Sequence, residues 1–339
     1  MSQLERKLEE TQQLITCLYA SRSWRVTRPL RAINAVIRKS RNIWSDWRRL
    51  KSKKTIKLIM TLLTRDEEDI IEKNISFHLK HGVDFIVATD NGSIDGTRDI
   101  LEKYENKGVL HLIDEKKQDL SQAEWVNRMG KLAFEKYNAD IIFHCDADEF
   151  WFPKSGNLRN EILENHHATV LLVNFVNVFL EENQGLETFP SDSKWAVVNP
   201  FITQNLEKDS ITKNLYLFRY PQKVIYKTEK GYLDVTHGNH AIVASEGLVM
   251  KESNDIIIYH YPIRSKNHFY RKVKNGGSAY ESNKRLDKSI GFHWRRWFES
   301  YKNNRLEDEY RNLILRKEDV VYLEKENVIQ KLIFEDMFT

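Results

Sequence analysis

Three carboxylates within four positions form the clearest candidate site in the sequence. Asp146, Asp148 and Glu149 directly follow the apolar segment 141–145. Ionised carboxylates this close repel one another, and burying them at a strand end without a counter-ion would cost free energy. We expect Asp146 and Asp148 to project from the same side of an extended backbone, so that both bind one divalent cation. An acidic loop or helix cap in solvent is the alternative.

The ligand types indicate which cation would bind. Oxygen ligands without cysteine or paired histidines favour Mg²⁺ or Mn²⁺ over Zn²⁺. A neutral imidazole is also an acceptable Mn²⁺ ligand, and His260 follows the apolar segment 256–259. A hydrogen-bonded structural histidine is the alternative for His260. Segment 234–240 adds one carboxylate and two imidazoles, Asp234, His237 and His240, in seven residues.

The elements that must position these residues alternate along the chain. Hydrophobic patterns predict four strands, at 56–63, 84–89, 109–113 and 140–145, and three helices, at 66–81, 97–104 and 121–137. This alternation predicts an α/β fold with a mostly parallel, doubly wound sheet. Ligands of such sheets bind beyond the carboxyl ends of the strands. The functional residues are therefore expected at 64–67, 90–95 and 146–149.

Three segments in this order resemble the nucleotide-binding half of family 2-type glycosyltransferases with the GT-A fold. They are Thr64–Glu67, Asp90–Thr97 and Asp146–Phe150, and they are most similar to the family-92-like branch. The resemblance covers 56–152 well and continues less regularly to about 280. It implies a metal-dependent, inverting glycosyltransferase that moves a sugar from a nucleotide-sugar donor to a glycan or lipid-linked glycan, in surface polysaccharide biosynthesis.

The resemblance also implies contacts with the nucleotide sugar. Thr64 and Glu67 would line the pocket for base and ribose, Asp90 would contact the nucleoside, and Asp146 would lie near the ribose. Asn91 stands where most family 2 members have an aspartate, and it keeps the hydrogen-bonding capacity of that position. The contacts implied for the diphosphate are Arg128, Arg264 and Lys272. Each of these three could instead be an ordinary exposed helical residue.

The metal ligands and the general base follow from the same resemblance. Asp146 and Asp148 would form the D-x-D pair, and His260 would complete the metal shell as a late histidine does in many GT-A enzymes. An inverting transfer needs a general base beside the acceptor hydroxyl. The candidates are His240, Asp234 and Glu149, and the first two rank ahead because the base in related folds lies well downstream of the D-x-D pair.

Charge is distributed unevenly along the 339 residues. The net charge of +4 combines a leader of +10 in residues 1–54 with a body of −6. We expect 1–54 to be a helical, basic, amphipathic extension whose residues 22–54 contact an anionic membrane surface and whose residues 4–18 self-associate. Packing of the apolar residues on the body is the alternative. No apolar signal peptide or spanning segment is visible, so we expect a cytoplasmic protein, peripheral on the membrane.

The remaining chain divides into three predicted parts. Residues 55–152 would form the nucleotide-sugar-binding half, 153–285 the acceptor-binding half and 286–339 a C-terminal helical segment.

Two other function classes stay open. A sugar-phosphate nucleotidyltransferase would also use metal-binding aspartates, although no glycine-rich signature follows the first strand. A non-catalytic protein that binds anionic surfaces is the other, but the acidic body argues against it, and we expect no nucleic-acid partner.

Overall fold

The computed structural model of the chain describes residues 56–117, 122–179, 195–202, 214–283 and 291–332. The predictions for 1–54 lie outside these residues. Ile56–Thr339 form one compact unit. Among the helices of the described residues, none combines the length and apolar character needed to cross a membrane.

The first half of this unit is the predicted parallel sheet. The strands are β1 (Leu58–Thr64), β2 (Phe85–Asp90), β3 (Leu110–Asp114) and β4 (Ile141–Asp146). The helices between them are α1 (Ile71–Lys80), α2 (Thr97–Asn106) and α3 (Gln122–Glu135). β1 lies between β2 and β4 and pairs in parallel with both, and β2 pairs in parallel with β3. The carboxyl ends of β1, β2 and β4 therefore meet at one edge.

Alternation along β1 explains how the sheet carries helices on both faces. Leu58, Met60 and Leu62 join one buried cluster with residues of α1 and α2, whereas Ile59 joins another with residues of α3. Successive side chains of a strand point to opposite faces, so an almost continuous apolar run is buried on both sides. This arrangement confirms the predicted α/β class and makes β1 the centre of the parallel region.

The second half extends the sheet with strands of both directions. They are β5 (Glu149–Pro153), β6 (Val170–Phe179), β7 (Trp195–Val197), β8 (Lys223–Lys227), β9 (Met250–His260) and β10 (Ile329–Lys331). The strand order is β10-β7-β6-β8-β4-β1-β2-β3, and β9 pairs with both β5 and β6. β8 pairs antiparallel with β4, while β9 is parallel to β6 and antiparallel to β5. The start of β8 and the end of β9 thereby lie near the carboxylates after β4.

Helices complete this half. α4 (Leu158–Glu164) follows β5, and four helices follow β9: α5 (Lys266–Ser282), α6 (Phe292–Lys302), α7 (Leu306–Leu313) and α8 (Lys317–Lys325). Phe269 and Val273 of α5 share a buried cluster with Trp297 of α6, Leu323 of α8 and Ile329 of β10. The last helices thus form a second core beside the sheet. The predicted boundaries at 152 and 285 stay predictions.

Two local expectations differ from the structure. The predicted helix at 66–81 begins only at Ile71, because Asp66 has a left-handed φ of 57° and its carboxylate accepts hydrogen bonds from the Ile94 backbone and Asn275. The backbone after β4 is not extended as predicted, because it turns at residues 147–148 before β5 begins. The side chains of Asp146 and Asp148 therefore do not follow one strand face.

Candidate active site

A cavity of about 460 Å³ opens at the carboxyl ends of β1 and β4. Thr64, Asp146 and Asp148 line it from the strand ends, and α5 lies along another wall. The wall also includes Glu67, Asn91, Glu149, Phe175, Tyr216, Lys223, His237, His240, His260, Arg271, Lys272, Gly276, Tyr280, His293 and Trp294. The expected position of the site, at the end of the parallel strands, agrees with this cavity.

Two lysines neutralise the three carboxylates. Lys223, at the start of β8, has its ammonium 2.7 Å from Asp146 and 2.5 Å from Glu149. Lys272, in the second turn of α5, has its ammonium 2.5 Å from Asp148. The side chain of Lys223 is only 2% exposed, so the pairing happens away from water. The two D-x-D carboxylates therefore have different lysine partners.

The pKa values of the carboxylates follow from these contacts. Burial disfavours the ionised form of Asp148, but Lys272 and His260 outweigh it and hold its pKa well below the ordinary value. Burial is the main reason that the pKa of Glu149 is raised to about 8. The negative charges of Asp146 and Asp148 also raise this pKa, and the positive charge of Lys223 opposes them. At neutral pH, Asp148 is thus an anion at the cavity wall.

Helix α1 braces the turn that carries the carboxylates. Asn74, fully buried on α1, donates through its amide to the backbone oxygens of Ala147 at 3.0 Å and Glu149 at 2.7 Å. His78, one turn later, accepts a hydrogen bond from the Trp151 backbone at 3.2 Å. Burial lowers the pKa of His78 to about 3, so its ring stays neutral and can accept. A polar residue buried on a helix is costly unless it is paired, and here it fixes the turn.

His260 ends β9 beside Asp148. Its Nε2 lies 3.6 Å from Asp148 Oδ2, and its Nδ1 lies 2.7 Å from Asn177 Oδ1. A carboxylate and an imidazole that face each other in a cavity fit a divalent cation, since both are accepted ligands of Mn²⁺. Within the described residues, no cluster of three or more histidine, cysteine, aspartate or glutamate side chains is close enough to form a metal site. The side chains whose chemistry fits a divalent cation here are the pair Asp148 and His260.

The three candidates for the general base have different surroundings. Asp234 is exposed and does not line the cavity, and Glu149 is 1% exposed and paired with Lys223. His240 lines the cavity, and its Nδ1 donates to the Gln222 carbonyl at 3.1 Å. Burial lowers the pKa of His240, so the ring is neutral and Nε2 carries a lone pair. Of the three side chains, His240 is the one with a base available to a ligand.

Residues predicted for the nucleotide fall into two groups. Thr64, Glu67 and Asn91 line the cavity, and the buried hydroxyl of Thr64 has no hydrogen-bond partner. Asp90 is buried and accepts from Ser93, while Arg128 is ion-paired with Glu115 at 2.9 Å and about half-exposed. Asp90 and Arg128 do not line the cavity.

Arg264 is placed elsewhere than predicted. It is 1% exposed, contacts Glu67, and donates to Asp69 through Nε at 2.7 Å and through a terminal nitrogen at 2.9 Å. His268 also approaches Glu67, at 3.6 Å. Arg264 does not line the cavity, so the diphosphate contact predicted for it is replaced by a buried ion-pair network between the start of α1 and the start of α5.

Several cavity residues carry little functional signal in the amino-acid sequence. Lys223 was missed because an isolated lysine in an aromatic, basic segment resembles any surface lysine. Arg271, which contacts the Asp66 backbone oxygen at 3.1 Å, adjoins the predicted Lys272 in α5 and could have been found by that adjacency. Trp294 and His293 lie in a predicted helical segment whose apolar and basic residues gave no functional pattern. Only folding brings them to the cavity.

A comparison with protein-family models gives one match to the chain. The model of glycosyltransferase family 92 matches residues 60–313, which is most of the described unit. The chain belongs to glycosyltransferase family 92. The match begins within β1, includes the carboxylates after β4 and His260, and ends with α7, so this family 92 enzyme carries its cavity inside the matched region. The resemblance inferred from the sequence is confirmed, and the chain is a glycosyltransferase with the GT-A fold.

Solved structures similar to this family 92 glycosyltransferase have low sequence identity to it. S. aureus TarS 1–349 in complex with UDP-GlcNAc is 16% identical over 69% of each chain, with a TM-score of 0.40. TarS 1–349 in complex with UDP is 15% identical over 80% of this chain and 87% of that one, with a TM-score of 0.37. Glucosyl-3-phosphoglycerate synthase from Mycobacterium tuberculosis, in complex with Mn²⁺, UDP and glucosyl-3-phosphoglycerate, is 19% identical over 36% and 45%, with a TM-score of 0.27. No curated protein sequence shows a significant match.

Proposed function

We propose that this glycosyltransferase is metal-dependent and transfers a sugar from a nucleotide-sugar donor to a hydroxyl group, with inversion at the anomeric carbon. The carrying observation is that Asp148 Oδ2 and His260 Nε2 face each other at 3.6 Å on the wall of the cavity at the end of the parallel strands. Such a pair at a nucleotide-binding sheet edge supports a cation that contacts the donor diphosphate.

Asp148 and His260 would hold Mn²⁺ or Mg²⁺. When bound, such an ion neutralises the negative charge that develops on the leaving diphosphate. Lys272 and Arg271 line the same cavity from adjacent positions of α5, and their positive charges would act on the same group. Asp146, predicted as a second ligand, is about one-third exposed beside Lys223 and is suited to the ribose contact that the resemblance implies.

The nucleoside part of the donor would bind near the end of β1. Thr64 has a buried hydroxyl without a hydrogen-bond partner, and a ribose or base could supply one. Asn91 lines the cavity too, although its amide nitrogen already donates to the backbone oxygens of Glu115 and Lys117. The side-chain oxygen of Asn91 can still accept a hydrogen bond from the nucleoside.

His240 would act as the general base. In this step the acceptor oxygen forms a bond to the anomeric carbon, the bond from that carbon to the diphosphate oxygen breaks, and the hydroxyl proton moves to His240 Nε2. The hydrogen bond from Nδ1 to the Gln222 carbonyl keeps the lone pair on Nε2 and stabilises the imidazolium that forms. The leaving nucleoside diphosphate carries away the electron pair of the broken bond.

The acceptor and the cellular setting complete the proposal. We propose a glycan or lipid-linked glycan acceptor used in surface polysaccharide biosynthesis. The basic segment 22–54 supports contact with an anionic leaflet, where each basic residue contributes roughly 1 kcal/mol. The a/d spacing of residues 4–18 supports self-association. A cytoplasmic enzyme, peripheral on the membrane, would meet such an acceptor.

Incubation with a panel of nucleotide sugars and Mn²⁺ tests the metal-dependent function. We expect wild-type enzyme to release nucleoside diphosphate by transfer or slow hydrolysis, and chelation by EDTA or the substitution Asp148→Asn to abolish the release. The matched control is Asp114→Asn, because Asp114 ends strand β3 of the same sheet, is exposed and does not line the cavity. Unchanged turnover in Asp148→Asn would rule out the metal assignment, and pyrophosphate exchange would instead indicate a nucleotidyltransferase.

A further inference from the structure

Asn177 is a buried polar residue that contacts the proposed metal ligand. It lies near the end of β6, is 4% exposed, and is the parallel register partner of His260 in β9. Its side-chain oxygen lies 2.7 Å from His260 Nδ1, and its side-chain nitrogen donates to the Tyr216 carbonyl at 2.8 Å. A buried amide is costly unless both of its ends are paired, and these two contacts pair both ends.

The Tyr216 carbonyl fixes which way the amide of Asn177 points. A carbonyl oxygen only accepts hydrogen bonds, so the group that faces it must be the NH₂ end of Asn177. The opposite orientation would set the amide oxygen against the Tyr216 carbonyl and leave both unpaired. The oxygen of Asn177 therefore faces His260, and His260 Nδ1 must carry the hydrogen that it accepts.

Ring contacts hold His260 in this orientation. The ring of Phe175 meets it edge to face at 5.7 Å and 73°, and the ring of Tyr216 does so at 6.1 Å and 71°. A 180° flip of the ring would put a carbon, Cδ2, in the place of Nδ1 and lose the hydrogen bond to Asn177. With a hydrogen on Nδ1, Nε2 is the ring nitrogen that can ligate a metal ion, and it is the atom 3.6 Å from Asp148.

We infer that Asn177 is a positioning residue that presents the Nε2 lone pair of His260 to a divalent cation shared with Asp148. Asp148 Oδ2 and His260 Nε2 lie 3.6 Å apart, and both atoms are accepted ligands of a divalent cation. Metal-bound histidines commonly donate their other ring nitrogen to a fixed acceptor, and loss of that acceptor weakens the metal. This inference rests on the metal-dependent function proposed above and adds a residue to it that does not touch the metal.

Metal affinity and ring tautomer can both be measured on the full chain. Electron paramagnetic resonance of free Mn²⁺, titrated with protein in the presence of UDP, gives the dissociation constant. We expect Asn177→Leu to weaken Mn²⁺ binding by roughly 10- to 100-fold. Asn177→Asp loses the donor to the Tyr216 carbonyl but keeps an acceptor for Nδ1, so it should bind Mn²⁺ more tightly than Asn177→Leu does. The matched control Asn174→Leu removes an exposed amide from the same strand and should leave affinity unchanged.

The tautomer provides a readout that a merely structural residue would not change. Nitrogen-15 spectra of the wild type, with the His260 signals identified by their loss in His260→Gln, should show hydrogen on Nδ1. That measurement remains decisive if Asn177→Leu does not fold. Hydrogen on Nε2, or a folded Asn177→Leu that binds Mn²⁺ as tightly as wild type, would overturn the inference alone. A wild-type protein that binds no Mn²⁺ with UDP would instead overturn the proposed metal dependence.

Discussion

At the scale of single residues, the site is organised by the pairing of buried charges. Lys223 is almost inaccessible to water and contacts both Asp146 and Glu149, and Lys272 contacts Asp148. Burial alone would drive these lysines to lose their protons, but the neighbouring carboxylates raise the pKa of both. A buried charge that loses its partner is strongly destabilising, so each pair constrains the position of its members. The acidic segment is thus held in place before any ligand arrives.

The general base is the first prediction at this scale. His240→Gln removes the lone pair that we assign to proton transfer but keeps a polar side chain of similar size. We expect kcat for sugar transfer to fall by roughly 10²- to 10⁴-fold, the usual range for a general base, while donor binding changes little. Initial rates at varied donor concentration, together with calorimetric binding of the nucleoside diphosphate of the active donor, separate these two effects.

Asp234→Asn serves as the comparison for this variant. Asp234 is exposed and lies outside the cavity lining, only six positions before His240. We expect its substitution to leave transfer near wild type. Loss of transfer in Asp234→Asn with full activity in His240→Gln would exchange the two assignments.

At the scale of elements, helix α5 connects the site to the second core. One part of α5 carries Arg271 and Lys272 to the cavity, and Gly276 and Gly277 in the next turn allow close approach of α6. Trp294 of α6 lies against Gly276 and stacks on Tyr280 with ring centres 6.5 Å apart and planes at 12°. The packing of α5 with α6 therefore places aromatic side chains on the cavity wall.

Substitution of the two glycines tests this packing. A Cβ atom at Gly277 would lie well inside van der Waals contact of Phe298 Cβ, whereas one at Gly276 would be 3.3 Å from the Trp294 ring. We expect Gly277→Ala to lower the free energy of unfolding by about 1–3 kcal/mol, as overpacking does. Gly276→Ala should cost clearly less, because a small shift of the ring accommodates it.

Chemical denaturation of the two variants, followed by tryptophan fluorescence, measures this difference. Equal stability of Gly277→Ala and wild type would mean that α6 is not packed tightly on α5. Activity provides a second measurement, since displacement of α6 would move Trp294 away from the cavity.

At the scale of the whole molecule, buried neutral histidines link stability to pH. Burial lowers the pKa of His78 and of His144 to about 3, far below the ordinary value near 6.5. The unfolded chain therefore binds more protons than the folded chain between these values. Stability from this source is fully present above pH 6.5 and is lost as the pH falls towards 3.

The histidine contribution is measurable by comparing His144→Gln with the wild type. In the pH range where the histidine is protonated only in the unfolded chain, each buried histidine should lower the free energy of unfolding by at most about 1.4 kcal/mol per pH unit. We expect His144→Gln to be less stable at pH 7, because it loses the 2.6 Å contact with Thr61, and to show a shallower decline between pH 6 and 5. Parallel stability curves for the two proteins would contradict the neutral state of His144.

The basic leader is also a property of the whole chain. Deletion of residues 1–54 removes 14 basic and 4 acidic residues, so the remaining protein carries a net charge of −6. We expect the deletion to release the enzyme from vesicles of phosphatidylglycerol with phosphatidylcholine in a sedimentation assay. Vesicles of phosphatidylcholine alone are the control, since the attraction depends on anionic lipid. Equal sedimentation of truncated and full-length chains would assign membrane contact to another surface, or to none.

The sequence alone determined the parts that depend on local patterns. The alternating strands and helices from β1 to β4 and the glycosyltransferase family were predicted, and a cavity lies at the carboxyl ends of β1 and β4, where the site was expected. Hydrophobic periodicity carries the order of the elements, and the resemblance of three short segments to known glycosyltransferases carries the family, so neither needs knowledge of distant contacts. The turn at 147–148 was missed because the same residues read equally well as a continued strand.

Tertiary structure alone decided which distant residues meet. Lys223 contacts Asp146 across 77 positions, Asn177 contacts His260 across 83, and Arg264 contacts Glu67 across 197. Register and strand order set these pairs, and a one-residue slip in β8 or β9 would turn the side chains to the opposite face. Since an ammonium or imidazole pairs with whichever carboxylate its strand brings near, the sequence could propose charged residues for the site but could not assign their partners.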